Sequence, residues 1–197
     1  MKHALPFALV LALAACQSTE PAPAPAEAPG PEEMMARMEQ LAAPGPEHAR
    51  LDDLVGTFDA AVKIWMVPGA PPEESTGTMV NEWILGGRYV RGEYLGSFQG
   101  SEFTGVSIIG FDNATQSYQG TWLDSMTTAI LPVSHGVREA SVITMEREML
   151  DPMSGNMVSE RDVFRIESRD RHTMEMYVGT PDGGEMKSME IVYTRRR

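Results

Sequence analysis

The chain has 197 residues, 16 of them Lys or Arg against 28 Asp or Glu, for a net charge of −12. That length holds one domain of ordinary size and a short appendage. So acidic a chain is repelled by phosphate backbones and anionic bilayer surfaces, which argues against nucleic acid as a partner and against charge-driven membrane binding.

Met1-Lys2 is a short positive start, and Ala4 to Ala15 is an apolar run of signal-peptide length. It is shorter than the roughly 20 residues that a membrane-spanning helix needs. The run ends Leu13-Ala14-Ala15-Cys16, which resembles the lipobox of bacterial lipoproteins. The resemblance implies that residues 1–15 are removed and that Cys16 is lipidated as the new N-terminus, anchoring the protein to a membrane. Gln17 follows, in place of the Asp that typically retains such proteins in the inner membrane. The implied address is the bacterial envelope, on the outer membrane and facing the periplasm. An ordinary secretory signal with an incidental cysteine is the alternative. Cys16 is the only cysteine, so the folded part can have no disulfide, thiolate nucleophile or cysteine-ligated metal.

Glu20 to Pro31 alternates Pro and Ala. Such a stretch favours extended polyproline II and makes residues 16–31 a tether. At about 3.1 Å per residue, its Pro/Ala run spans roughly 35 Å. A short amphipathic helix is predicted from Glu32 to Ala42, with acidic residues in its first turn and Pro44-Gly45 ending it. Met34, Met38 and Leu41 form an apolar stripe. The stripe is expected to pack across the mouth or flank of the following domain, a partner-binding role being the alternative. Residues 32–49 are thus helix and connector, and residues 50–197 the main domain.

In Leu54 to Met66 the apolar residues Phe58, Ala60, Val62, Ile64 and Met66 fall at every second position. Period two is the mark of a strand with one buried face. Nine further strands are predicted: Ser75–Ile84, Arg88–Phe98, Phe103–Phe111, Ser117–Asp124, Thr128–Val137, Ser141–Leu150, Met157–Glu167, Thr173–Gly179 and Glu185–Thr194. Turn residues such as Gly86-Gly87, Asp112-Asn113 and Asp182-Gly183-Gly184 separate them. The fold class is therefore all-β, an antiparallel up-and-down β-barrel of about ten strands.

The segments LVGTFDAAVKIWMVPGAPPEESTGT, NEWILGGRYV, GFDNATQSYQGTWLDSM, DPMSG and MEIVYTR together resemble an uncharacterised bacterial family, a domain of unknown function, over roughly Pro44 to Arg195. More loosely the pattern is similar to the calycins: lipocalins, fatty-acid-binding proteins and nitrobindin-like barrels. Calycins open with Gly-x-Trp on the first strand and carry a basic residue on the last, packed across that ring. Gly56-Thr57-Phe58 and Arg195 take those places here, with Phe for Trp.

No motif for chemistry stands out. There is no Gly-x-Ser-x-Gly elbow, and adjacent Ser134 and His135 point to opposite strand faces. The histidines show no ligand spacing, so no metal or other cofactor is assigned. The 15 methionines suit core filling and adaptable apolar walls, with soft-metal binding as the alternative. Polar residues on otherwise apolar strand faces are more informative. Arg91, Glu93, Trp122, Tyr193 and Arg195 are the ligand-binding candidates, because a small-molecule site is an apolar cavity with a few convergent polar groups. Tyr193-x-Arg195 resembles the carboxylate-holding pair on the last strand of fatty-acid-binding barrels. The expected function is binding of a small, partly apolar ligand, acidic and amphiphilic if the arginines anchor it. A non-catalytic envelope structural or interaction protein with a filled barrel is the alternative, and a barrel enzyme using a carboxylate acid or base comes third.

Overall fold

The computed structural model describes residues 29–197. The signal peptide, Cys16 and all but the end of the tether lie outside them. Ten antiparallel strands close into one barrel: β1 (Gly56–Ile64), β2 (Glu73–Ile84), β3 (Tyr89–Phe98), β4 (Ser101–Asp112), β5 (Ser117–Asp124), β6 (Ser134–Glu139), β7 (Val142–Leu150), β8 (Met157–Ser168), β9 (Arg171–Gly179) and β10 (Glu185–Arg195). Each strand pairs with its neighbours in sequence, and β10 returns to pair with β1, where Phe58 lies opposite Arg195 and Ile64 opposite Met189.

The period-two pattern of β1 carries through as burial: Phe58, Ala60 and Val62 point into the barrel, and Asp59, Ala61 and Lys63 point out. Tight turns fix the register of the hairpins. Between β3 and β4 the loop is Gln99-Gly100, both left-handed at φ 49° and 77°. This is the backbone that a two-residue hairpin needs to match the twist of its strands. The predicted strand Thr128–Val137 is the main departure, since β6 begins only at Ser134. Pro132 lacks the N–H that a ladder requires. Residues 125–133 instead form an irregular segment, tied to β5 where the Leu131 N–H donates to the Trp122 carbonyl. The β5–β6 seam is consequently held by three residue pairs, from Tyr118↔Gly136 to Gly120↔Ser134.

The helix α1 (Pro31–Ala42) forms where predicted, but its expected packing is corrected. None of its residues is buried, and Met34, Met38 and Leu41 are exposed. Only its end touches the barrel, where the Asn113 side chain donates to the carbonyls of Leu41 and Ala43 (2.9 and 2.8 Å). The covering position is taken by the segment after Pro44-Gly45. A one-turn helix α2 (Pro46–Ala49) and a 3-10 turn (Arg50–Leu54) lie across one barrel end and bury His48, Leu51 and Leu54. Leu51 and Leu54 join Val90, Ile109, Tyr118, Ile143, Met145 and Ile166 in the core of that end.

Candidate functional site

The two halves of the barrel interior differ. At the plugged end Phe58 is fully buried, edge-on to the His172 ring, which stacks on Tyr193 with centroids 4.6 Å apart. Arg195 lies over the outer side of Phe58, its guanidinium carbon 4.5 Å from the ring centre. Its Nε donates to the Arg169 carbonyl (2.8 Å), Nη1 to Val55 (2.6 Å) and Nη2 to Asp53 (3.3 Å). This guanidinium therefore ties the last strand to the plug, in place of its expected role as a ligand anchor.

At the other end the inward row Ile64, Met189, Met176 runs across β1, β10 and β9 to Asp162 on β8. These two methionines, Ile64, Val178, Phe103 and Trp122 point inward yet remain partly exposed, unlike the core of the plugged end. The rings lie along the wall, over glycines of their own or adjacent strands. A Cβ on Gly105 would overlap the Trp122 indole, and one on Gly77 or Gly96 the Tyr94 ring. Small residues there keep the aromatic side chains out of the middle of the barrel. Trp122 is fixed further by a hydrogen bond from its Nε1 to Asp124 Oδ2 (2.9 Å) and by stacking on Phe103.

Set into the same wall is a buried ion cluster. Arg147 on β7 projects inward between Glu160 and Asp162 of β8, the three side chains being 4, 5 and 7% exposed. One Nη2–H donates to Glu160, and Nη1 lies 3.5 Å from Asp162 Oδ2. Arg147 Nε and Asp162 Oδ1 are buried with no hydrogen-bond partner among the described residues. Burial pushes the Asp162 carboxyl up to about 6, opposed only in part by Arg147. Burial likewise lowers the Arg147 pKa, against the pull of Asp162. Tyr193 is raised by burial first, then by the charges of Tyr94 and Asp162, so the two phenols and the carboxylate share one interior. His172 falls to about 4 through burial and the nearby Arg195.

Of the residues expected at a site, Tyr193 and Trp122 face the lumen. Arg91 and Glu93 do not, and that expectation is corrected. The inward set of β3 is Val90, Gly92 and Tyr94, leaving Arg91 outside, where its Nη2 meets Glu82 (2.6 Å) and Glu93 (3.1 Å). The cluster that does face inward, Arg147 with Glu160 and Asp162, was not among the candidates. The alternation Ile143, Met145, Arg147, Met149 carried the signal, a cation on an apolar strand face.

Residues 43–195 match the family described as protein of unknown function (DUF1579). No curated protein matches the chain. Among solved structures, the S-type phycobiliprotein lyase CPES from Guillardia theta is 11% identical with a TM-score of 0.55, over 77% of this chain and 93% of that one. The Rv2717c protein of M. tuberculosis is 13% identical with a TM-score of 0.53, over 79% of this chain and all of its own. At such identities these neighbours share the barrel fold, which agrees with the calycin-like pattern.

Proposed function

We propose that this chain, which belongs to the DUF1579 family of proteins of unknown function, is a lipid-anchored envelope barrel that holds a small, partly apolar ligand in the open half of its lumen. One observation carries this reading. The barrel is plugged at one end by Leu51 and Leu54, while at the other its inward methionines and rings stay within reach of solvent. A wall of thioethers adapts to apolar bodies of varied shape, and apolar lining with a few polar groups is the usual make-up of a small-molecule site. The anchor and the outer-membrane, periplasm-facing location rest on the Leu13–Cys16 motif and on Gln17.

A second reading, a barrel enzyme using a carboxylate acid or base, is favoured by Asp162, a buried inward carboxyl held at about 6. Groups shifted in this way concentrate at catalytic centres, although structural ion clusters shift them too.

The test is displacement of a fluorescent fatty-acid analogue from the full chain. The wild-type protein is expected to bind the reporter. Met189→Glu, which places a charge of the reporter's own sign in the open half, is expected to weaken binding at least tenfold with the circular dichroism spectrum unchanged. A wild-type protein that binds no amphiphile would overturn the reading and leave the filled interaction barrel ahead.

A further inference from the structure

The helix α1 has 12 residues, none of them buried, and Asn113 holds only its end. A helix of about that length is marginal in water by itself, because few hydrogen bonds repay the cost of its nucleus. Its exposed side chains are nonetheless ordered. Met34, Met38 and Leu41, 51, 61 and 38% exposed, share one face, and Met35, 57% exposed, flanks it. Arg37, the one cation of the helix, stands one turn from both Met34 and Leu41 and so borders that face. Glu32, Glu33 and Glu39 lie further round.

We infer that this face rests on the lipid bilayer, as a second membrane contact beside the acyl anchor. Where the chain comes from identifies the occupant. Cys16, the residue expected to carry the lipid, is separated from α1 by residues 17–30. At about 3.1 Å per residue these reach roughly 45 Å. An anchored α1 is therefore confined near the bilayer, at an effective concentration on the order of millimolar, so that even a weak interfacial contact is occupied. Arg37 at the edge can lay its stem along the apolar boundary and turn its charge to a lipid phosphate. With three glutamates against one arginine the helix gains nothing from an anionic surface, so the thioethers and Leu41 drive the contact and zwitterionic lipid suits it. A second copy of α1 is a poorer occupant, since it would bring like charges to a short seam. This inference rests on the anchored reading of Cys16 and goes beyond it.

Cys16 is the only cysteine and acylation blocks its thiol, so one introduced thiol can be labelled uniquely. Met38→Cys on the stripe and Ala36→Cys on the opposite face both replace exposed residues, which leaves the fold intact. Each lipidated protein carries a nitrobenzoxadiazole label and is reconstituted in phosphatidylcholine vesicles containing a nitroxide-bearing lipid. Quenching by the nitroxide is expected to be at least threefold stronger at the Met38 position than at the Ala36 position. Vesicle-bound protein with equal quenching at the two positions, or with none, would overturn the inference and leave the anchor standing. A label at the Met38 position that is shielded from water yet unquenched, and loses its shielding on dilution, would assign the face to a second copy and overturn it too. Wild-type protein from its own host that fails to sediment with the vesicles would remove the anchored reading, and the inference with it.

Discussion

Asp162 and His172 titrate over nearly the same pH range, with opposite effects on the fold. The native Asp162 carboxyl is raised to about 6 from 3.8, so between those values it keeps a proton that the unfolded chain has released. Its contribution is greatest below pH 4 and is lost as the pH rises to 6. The native His172 imidazole is lowered to about 4 from 6.5, so it stays neutral where the unfolded chain is protonated. Its contribution is present above pH 6.5 and is lost as the pH falls towards 4. The two slopes oppose one another in the wild type. Relative to the wild type, His172→Phe should gain stability on acidification from pH 6.5 to 4, because the Asp162 slope is then unopposed by the imidazole. Asp162→Asn should lose stability relative to the wild type over the same range. Each change is about 3 kcal/mol at most, from roughly two pH units at 1.36 kcal/mol each. Urea melts of the three proteins across that range measure it, and parallel curves would refute the assignment. Facing at this scale was legible only in part. The pairing of Phe58 with Arg195 is implied by the calycin resemblance, in which a basic residue of the last strand packs across the ring of the first. On β3 the inward set, Val90, Gly92, Tyr94 and Gly96, contains two glycines, which are silent in any hydrophobic alternation. Arg91 therefore stands on the strand face that looks no more polar than the true interior.

Among the elements, the helix with the clearest periodicity contributes least and the shortest ones contribute most. Residues 31–42 have an amphipathic stripe that the barrel never meets, whereas the sequence from Pro46 to Leu54 is too short and mixed for any period to register. What it carries is Leu51 and Leu54 at a spacing of three, matched to the eclipsed faces of a 3-10 turn. Leu51→Ala should accordingly cost about 2–5 kcal/mol, the range for emptying a fully buried leucine site. Removing residues 31–42 should change unfolding free energy by less than about 1 kcal/mol, since no buried side chain is lost. Chemical denaturation of both variants gives the comparison, and a larger loss from the truncation would mean that the stripe does pack against the barrel. The count and order of the strands were legible, because ten alternating segments joined by short turns leave few other closures. The start of β6 was not, since the apolar Ala129, Ile130 and Leu131 read as strand until Pro132 is given its weight.

For the whole molecule, the expected attachment through Cys16 yields a direct test. Cys16→Ser should abolish incorporation of a labelled fatty acid and shift the protein from the membrane to the soluble fraction, or leave it as an unprocessed precursor. Label retained by the variant would rule the anchor out. The closing seam of the barrel has a different consequence, one of timing. Phe58 pairs with Arg195, and the Arg196 N–H donates to the Thr57 carbonyl, so the first strand, already paired with β2, finds its second partner only among the last residues of the domain. A nascent chain that has delivered β1 to β9 has two unpaired sheet edges and no barrel. Pairs so far apart along the chain form slowly, because the entropy of closing the long loop must be met before the contacts can repay it. The fold therefore postpones its own closure until its final strand has emerged.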